Sequence, residues 1–333
     1  MTTTDARPVS LRLSITDKCD QRCIYCMPPG GVELVSHEDV LSFEEFARFV
    51  RVMRDAFGLT KVHITGGEPL VRRNVVGFVS MLASQEIVDL ALTTNGQRLA
   101  SMATDLKKAG LHRVNVSLDS LDPGLYAEIT RSGDLVSVLR GIEAARAAGL
   151  APIKLNVVAL RGCNDDEFTA LAAYAFEHDC EIRFIELMPI GCAAGLFEEH
   201  FIGADEVRER LAERFSLSPL PERPGASSRS YVADDGALRG VVGFISPETH
   251  PFCAGCRRLR LTCTGQLIAC LAEREGPSIR DLLRSCDERA DAEIVAVARR
   301  ALATKRTYPV HRNLNGREAV VEDGGRMMFK IGG

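Results

Sequence analysis

Short β-branched runs alternate with segments of helical periodicity from residue 11 to residue 187, and this alternation constrains the fold more than any other feature. The runs predicted to be strands are residues 11–15, 61–65, 88–94, 113–118, 153–158 and 181–187. The segments predicted to be helices are residues 42–57, 73–85, 98–109, 135–148 and 165–178. Consecutive strand–helix units indicate a parallel sheet, either doubly wound or rolled into part of a barrel.

Side-chain parity separates these two kinds of sheet. Successive strand residues point to opposite faces, and in the first strand Arg12 and Ser14 oppose Leu11 and Leu13. The second, fourth and fifth strands show the same division, with Lys61, Arg113 and Lys154 among the polar residues. A doubly wound sheet is covered by helices on both faces and should be apolar on both. The pattern therefore predicts an α/β fold in which an incomplete (β/α)6 barrel of TIM type encloses a polar lumen.

Polar or glycine-rich segments lie at or just past the carboxyl ends of five predicted strands. They are Cys19, 66–68, 93–95, 117–119 and 186–188. Barrel enzymes build their active sites at this end of their strands, so we expect the active site there.

Composition argues against several classes of partner. The formal net charge is −4 and the sequence pI is about 6.0, which disfavours nucleic acid or an anionic membrane surface as partner. The start, "MTTTDARPVS", lacks the apolar region of a secretion signal, and no apolar run approaches the length of about 18 residues that would span a membrane. We expect a cytoplasmic protein, in which the 11 cysteines serve metal or redox chemistry more often than disulfides.

The remainder of the chain is predicted to extend the barrel. Residues 1–218 form the barrel, the Pro-, Gly- and Ser-rich segment 219–230 is a surface linker, and residues 231–333 form a C-terminal extension. This extension contains short strands, a second group of cysteines, and helices near 278–285 and 288–303.

The segment "CDQRCIYC" places Cys19, Cys23 and Cys26 in a loop directly after the first strand. The short spacings allow three thiolates to converge on one iron–sulfur cube, in which each thiolate binds a different iron. Three ligands leave one iron open, and an open coordination site is typical of a catalytic metal. The alternative is a zinc ion with a distant fourth ligand.

This spacing, together with "GGEP" at 66–69 after the second strand, resembles the radical S-adenosylmethionine (SAM) superfamily. The resemblance implies that the open iron of a [4Fe-4S] cluster binds the amino and carboxylate groups of SAM. It also implies that an electron from the reduced cluster splits SAM into a 5′-deoxyadenosyl radical, which abstracts a hydrogen atom. The missing fourth ligand would then be the cofactor itself.

The second group, Cys253, Cys256 and Cys270, again offers three ligands, and a rival four-cysteine zinc site would add Cys263. Its spacing, the following R-L-R and the closing "IGG" resemble the GTP 3′,8-cyclase family, over nearly the whole chain from residue 11 to 333. The resemblance implies a second [4Fe-4S] cluster that binds the guanine of GTP. The implied reaction removes the ribose C3′ hydrogen and joins C3′ to guanine C8. The product, (8S)-3′,8-cyclo-7,8-dihydroguanosine 5′-triphosphate, begins molybdenum cofactor biosynthesis.

The resemblance also implies contacts to SAM from Tyr25, Gly67, Ser117 and Met188. Glycine suits position 67 because a Cβ would obstruct the methionine part of SAM. Taken alone, Met188 would be a core residue, and the surrounding "FIELMP" favours a ligand contact instead.

GTP brings about four negative charges into an acidic protein, so cations must converge locally, and arginine forks suit phosphate best. The resemblance implies that the GTP contacts are Arg12, His63, Thr93, Lys154, Arg258, Leu259 and Arg260. Of these, Arg12, Arg258 and Arg260 are expected to act in catalysis. The alternative for Arg12 and Lys154 is a lumen salt bridge to Asp119 or Glu186.

Two positions depart from the family pattern. The family usually has Arg where this chain has His63, and Asn where it has Arg257. His63 lies on the lumen face, and phosphate would favour its protonated form. We hypothesise that Arg257 partly restores the lost charge; a paralogue with another substrate is the alternative.

The tail "GREAVVEDGGRMMFKIGG" is too apolar for a free end. The resemblance implies that Gly332 and Gly333 insert into the cavity and act in catalysis, whereas a frayed terminus is the alternative. Implied partners are a cyclic pyranopterin monophosphate synthase downstream, a flavodoxin or ferredoxin as electron donor, and a second copy in a homodimer. The rival functions are a radical SAM enzyme with an auxiliary cluster that modifies peptides and a zinc-dependent regulatory or scaffold protein.

Overall fold

The computed structural model describes residues 9–222, 225–271, 273 and 275–305. Its first six strands are parallel neighbours in chain order. They are β1 (Ser10–Ser14), β2 (Lys61–Thr65), β3 (Asp89–Thr94), β4 (Arg113–Ser117), β5 (Lys154–Ala159) and β6 (Glu181–Glu186). Each predicted strand is confirmed to within one residue at either end.

The five helices predicted between the strands are present, and three further helices were not predicted. The helices are α1 (Phe43–Phe57), α2 (Val75–Ala83), α3 (Leu99–Lys108), α4 (Pro123–Thr130), α5 (Leu135–Ala147), α6 (Phe168–Glu177), α7 (Phe197–His200), α8 (Ala204–Ala212), α9 (Arg280–Arg284) and α10 (Ala290–Thr304). Helix α1 begins at a capping box between Ser42 and Glu45 and ends at a left-handed Gly58, the signals that define a helix in a sequence. The unpredicted helices α4, α7 and α8 have nine residues or fewer.

The C-terminal extension adds strands to both edges of this sheet. Strand β9 (Arg239–Ile245) pairs in parallel with β6, and β10 (Arg258–Leu261) pairs in parallel with β1. Eight parallel strands therefore stand in a row. Beyond them lie the antiparallel strands β7 (Ser216–Pro219), β8 (Arg229–Asp234) and β11 (Leu267–Ile268). The order of the described strands runs from β11 to β7 without returning to its start, which confirms an incomplete barrel.

The segment 219–230, predicted as a linker between domains, lies largely between β7 and β8. These two strands pair in antiparallel fashion, so the segment forms the connection of a hairpin within the sheet. The strands before and after residue 218 belong to one sheet. The division of the chain into a barrel domain, a linker and an extension stays a prediction.

Burial alternates along β5 and β6, whereas in β2 and β4 most of the polar row is buried as well. In β5, Leu155, Val157 and Ala159 are buried, whereas Lys154 and Asn156 keep partial exposure. The buried row packs under the outer helices in the main hydrophobic core. The other row lines the predicted polar lumen. Within the described residues, no helix is long and apolar enough to cross a membrane.

Candidate active site

The loop after β1 carries the first cysteine group, and all three thiols are partly exposed and free of disulfides. The backbone folds into a turn in which the N–H groups of Cys26 and Met27 both donate to the carbonyl of Cys23, at 2.9 and 3.0 Å. The loop is also attached to the end of α4, because Ile24 N donates to Ile129 O at 2.9 Å. The three thiols are thus held by backbone contacts at the carboxyl end of the barrel.

The "GGEP" segment runs beside the start of this cysteine loop. Gly67 N donates to Thr16 O at 2.7 Å, and Glu68 N donates to Lys18 O at 2.8 Å. A Cβ on Gly67 would lie only 2.3 Å from Lys18 O. The predicted need for glycine therefore has a source within the chain, because a side chain would displace the residue that precedes Cys19.

Two buried carboxylates, Glu68 and Asp119, accept hydrogen bonds from the segments around the first cysteine group. Glu68 accepts hydrogen bonds from Leu70 N, Thr94 Oγ1 and Asn95 N at 2.9, 2.8 and 2.7 Å. Burial raises its pKa to about 7 in spite of these bonds. Asp119 accepts hydrogen bonds from Tyr25 Oη at 2.6 Å and from Val158 N at 2.8 Å. Burial raises its pKa to about 6.

The four residues predicted to contact SAM come from four different strand ends. Tyr25 follows β1, Gly67 follows β2, Ser117 ends β4 and Met188 follows β6. All four are partly exposed rather than buried in the core. Their placement at one rim is compatible with one ligand, and their contacts with SAM stay a prediction.

The second cysteine group lies between β9 and the segment after β11. Cys253 and Cys256 are joined by a tight turn with a 3.1 Å hydrogen bond from Cys256 N to Cys253 O. Although burial raises it, the nearby Arg258 and Lys305 lower the pKa of the Cys256 thiol to about 6. Burial, together with the charges of Cys270 and Cys256, raises the pKa of the Cys253 thiol. These mutual influences show that the three predicted ligands are neighbours.

Cys263, which the rival zinc site requires, has a different environment. It is 2% exposed, and its carbonyl accepts a hydrogen bond from Leu41 N at 2.7 Å. Burial lowers the pKa of Arg72, and the nearby Cys263 thiol raises it. The structure thus places Cys263 in a buried position against Leu41 and Arg72, which favours the three-cysteine set.

Both donor sets fit iron–sulfur clusters by their chemistry. Each offers three cysteines, and thiolates are the ligands that such clusters require. Among the described residues, no three His, Cys, Asp or Glu side chains are arranged to hold a single metal ion. A cube spreads its thiolates over different irons, so its ligands stand farther apart than those of one ion.

The lumen below the second cysteine group is crowded with cations from the two ends of the sequence. The pairing of β10 with β1 sets Arg260 directly beside Arg12, and β2 sets His63 on the other side of Arg12. Burial and the neighbouring Arg258 lower the pKa of Arg260 to about 9, and burial and Arg260 lower that of Arg12. Such mutual repulsion is costly in a buried site unless an anion joins it.

Lys154 adds a further cation from β5. Its ammonium contacts the carboxylate of Glu181, its register partner on β6. Burial and the cation Arg183 nevertheless lower its pKa to about 8. The alternative partners Asp119 and Glu186 are wrong for Lys154, because Asp119 is bonded to Tyr25 and Glu186 to backbone N–H groups.

Three further lumen cations were not assigned from the sequence. Lys61, Arg113 and Arg183 all influence the charge of His63, which places them around the same cavity. Arg113 is paired with Asp89 at 2.9 Å. Strand parity already set Lys61 and Arg113 on the polar face, and it could also have identified Arg183, which shares a face with Lys154 on the adjacent strand.

His63 is neutral in this environment. It is 5% exposed, and burial and Arg12 hold its pKa well below the usual value. Its Nε2 lies 2.6 Å from Thr93 Oγ1 and 3.3 Å from Asn115 Nδ2. The protonated form was expected with phosphate bound, and that expectation stays a prediction; in the ligand-free cavity the neutral ring contacts Thr93. Compensation by Arg257 stays a prediction.

Gly332 and Gly333 lie outside the described residues. The last described residue, Lys305, follows α10 and donates from Nζ to the carbonyls of Arg258 and Ala269. The Lys305 side chain therefore lies beside the second cysteine group.

Comparison with known proteins matches the two parts of this architecture. Residues 13–175 match the Radical SAM superfamily, and residues 180–309 match the family described as Molybdenum Cofactor Synthesis C. The curated GTP 3′,8-cyclase of Desulforamulus reducens is 45% identical, covering 86% of this chain and 89% of the relative. That of Moorella thermoacetica is 45% identical over 89% and 90%. That of Syntrophomonas wolfei is 39% identical over 97% of both chains.

Solved structures support the fold. Streptococcus suis SuiB bound to S-adenosylmethionine matches with a TM-score of 0.60 at 17% identity, covering 87% of this chain and 68% of that one. SuiB bound to the precursor peptide SuiA gives a TM-score of 0.61 at 15% identity, with 87% and 67% covered. At such identities the likeness concerns architecture alone.

Proposed function

The chain belongs to the GTP 3′,8-cyclase family of the radical SAM superfamily, and from this membership we propose that it makes (8S)-3′,8-cyclo-7,8-dihydroguanosine 5′-triphosphate from GTP. The reaction removes the C3′ hydrogen of the ribose and joins C3′ to C8 of guanine. It is the first step of molybdenum cofactor biosynthesis.

One observation carries the assignment of substrate to this cavity. Arg260, four residues after Cys256, is in register with Arg12 on the first barrel strand. The second cysteine group and the cationic lumen are therefore parts of one chamber. A nucleoside triphosphate fits it, with the base toward the cysteines and the phosphates among the arginines.

The two cysteine groups divide the chemistry. We assign Cys19, Cys23 and Cys26 to a cluster that binds SAM, and Cys253, Cys256 and Cys270 to a cluster that binds guanine. When bound, the first cluster and SAM supply hydrogen-atom abstraction. The protein itself holds both ligands in one geometry and excludes water. Such positioning lowers the activation barrier of the reaction.

For the SAM side we propose contacts from Tyr25, Gly67, Ser117 and Met188, and we add Asn156. Its register partner on β4 is Ser117. The side-chain Oδ1 of Asn156 is buried and has no hydrogen-bond donor among the described residues. A ligand hydroxyl or ammonium would satisfy this acceptor, which would otherwise be costly.

For the GTP side we propose that Arg12, Lys154, Arg258 and Arg260 bind the phosphates, with Thr93 as a polar contact that His63 orients. Arg258 packs its guanidinium 5.0 Å from the ring centroid of Phe252, beside Cys253. Leu259 faces the opposite way and is fully buried. Its contribution to GTP binding would come from its backbone. Gly332 and Gly333 complete the proposed site.

The deciding experiment is anaerobic reconstitution with iron and sulfide, followed by incubation with SAM, a reductant and GTP, ATP or a peptide. We expect about eight irons per chain, and 5′-deoxyadenosine formed together with a cyclised nucleotide from GTP alone. Cys270→Ala should lose about half of the iron, whereas the exposed Cys286→Ala should lose none. A colourless zinc protein, or turnover of the peptide in place of GTP, would refute the proposal.

Several finer points are proposals that accompany this function. We propose a cytoplasmic homodimer that receives electrons from a flavodoxin or ferredoxin and passes its product to cyclic pyranopterin monophosphate synthase. The acidic composition and the free cysteines support the compartment. Size-exclusion chromatography with light scattering would test the dimer.

A further inference from the structure

Glu186, the last residue of β6, is a buried carboxylate held by backbone groups. It is 3% exposed. Its Oε1 accepts Ala204 N at 2.9 Å and the hydroxyl of Thr249, and its Oε2 accepts Glu248 N and Thr249 N at 2.9 and 3.1 Å. Three peptide N–H groups and a hydroxyl thus converge on one carboxylate from two separate segments.

These segments are the start of α8 and the turn that follows β9. The turn lies tightly against the residue before α8, since a Cβ on Gly203 would lie 3.2 Å from the methyl group of Thr249. His250 Nε2 lies 2.9 Å from Asp205 Oδ2 on α8, and His250 N donates to Ser246 O at 3.1 Å. Glu186 therefore anchors the turn 246–250 at the end of β6.

The topology gives this anchor its importance. Strand β9 ends at Ile245 beside β6, and β10 begins at Arg258 beside β1, so the segment 246–257 crosses between the two edges of the barrel row. Cys253 and Cys256 are carried in this crossing. With Thr249 fixed, residues 250–257 can extend at most about 28 Å, against about 42 Å for the whole of 246–257. The anchor thus restricts where these two thiols can lie.

We propose that Glu186 is a positioning residue for the second cysteine group, which sets the place of Cys253 and Cys256 over the lumen. The inference rests on the proposed function insofar as this group binds a cluster and GTP. Glutamine at position 186 would keep the shape but present an N–H₂ group to N–H donors, which leaves buried donors without acceptors. The turn 246–250 would then lose its carboxylate anchor and keep only the weaker attachment of His250 to Asp205 among the contacts named above.

The test compares Glu186→Gln with Glu167→Gln after anaerobic reconstitution. Glu167 is a matched control, because its carboxylate also holds a turn, through Leu121 N at 2.8 Å and Ser120 Oγ at 3.0 Å, in the segment after β4 and outside the crossing 246–257. We expect Glu186→Gln to keep the SAM-responsive signal of the first cluster in electron paramagnetic resonance. Its second-cluster signal should lose its response to GTP, with a GTP dissociation constant raised at least about tenfold. Glu167→Gln should keep that response.

Thr249→Val provides a second, milder variant, because it removes one donor to Glu186 and keeps the shape. It should weaken GTP binding by about threefold, and it decides the matter if Glu186→Gln fails to fold. Unchanged iron content, GTP response and GTP affinity in the folded variants would overturn the role of Glu186. If wild-type protein forms no nucleotide product while Glu186→Gln still perturbs the second cluster, the proposed function fails and the positioning role stands.

Discussion

Tyr25 Oη donates a 2.6 Å hydrogen bond to Oδ2 of Asp119, and this contact joins the first cysteine loop to the segment after β4. Tyr25 immediately precedes Cys26, and Asp119 lies two residues beyond Ser117. A single contact therefore connects the loop that would hold the first cluster to the strand end that would hold SAM. The carboxylate also accepts Val158 N, which adds β5 to the same arrangement.

Tyr25→Phe should destabilise the cluster-free protein by about 1.5–3 kcal/mol, the usual range for a hydrogen bond to a charged group. The ring remains, so packing is conserved and the loss reports the hydroxyl. Urea denaturation monitored by circular dichroism measures the free energy of unfolding.

Tyr126→Phe is the control for this prediction. The Tyr126 hydroxyl accepts a 3.0 Å bond from the neutral amide of Gln21, so its loss should cost about 1 kcal/mol. Equal costs for the two variants would show that the charge of Asp119 contributes nothing to the contact.

Much of the fold could be predicted because the two-residue alternation of a strand indicates both where the strand lies and which face each side chain occupies. Arg12 and Leu13 alternate in sequence and lie on opposite faces of β1, and the same rule fixed the polar lumen. The six cysteines fell into two groups by spacing alone, and in the structure Cys263 lies against Leu41 and Arg72.

The remainder depended on tertiary contacts that local sequence does not contain. The pairing of Arg12 with Arg260 joins strands 248 positions apart, and no local pattern announces it. Likewise, the neutral state of His63 results from burial and from four cations contributed by four different strands. Short helices such as α7 carry too few turns for a periodic signal.

Lys154 predicts a pH dependence of phosphate binding. Its pKa of about 8 lies below the ordinary 10.5, so in the ligand-free protein the ammonium loses its proton as the pH rises through 8. Phosphate binds the charged form, and affinity for tripolyphosphate should be full below pH 8 and fall above it, by up to about tenfold per pH unit. The same depressed pKa means that Lys154 penalises folding below pH 8, and the penalty fades as the pH rises toward 10.5.

Lys154→Arg is the matched control, because a guanidinium stays charged throughout this range. Isothermal titration calorimetry of the reconstituted protein between pH 7 and 9.5 gives the comparison. A wild-type affinity that stays flat over this interval would contradict the role of Lys154.

His63→Arg should lower the Michaelis constant for GTP several-fold. The neutral imidazole contributes no charge to the phosphates, whereas an arginine there would add one beside Arg12. His63→Gln retains a neutral polar group that can reach Thr93, so its Michaelis constant should stay within about twofold of wild type. Steady-state formation of 5′-deoxyadenosine at varied GTP measures both. An unchanged or higher constant in His63→Arg would refute the argument.

Lys305→Met should loosen the end of α10 from the second cysteine group. The ammonium donates to the carbonyls of Arg258 and Ala269, and the methionine leaves both acceptors unsatisfied in a half-buried site. We expect a loss of about 1–3 kcal/mol in the free energy of unfolding. The exposed Arg300→Met on the same helix should cost less than about 0.5 kcal/mol. Comparable stabilities of the two variants would show that the contacts of Lys305 with the carbonyls of Arg258 and Ala269 do not stabilise the protein.

Deletion of Gly332 and Gly333 separates cluster assembly from catalysis. The described chain reaches the second cysteine group at Lys305, and the residues that follow number enough to reach the lumen. If the two glycines enter the cavity, the truncated protein should keep about eight irons and its response to SAM, because no cysteine lies in the deleted part. Cyclisation of GTP should fall at least a hundredfold, since misplacement of a group near reacting atoms can cost that much. Full activity in the truncated protein, measured by chromatography of the nucleotide products, would show that the tail ends outside the chamber.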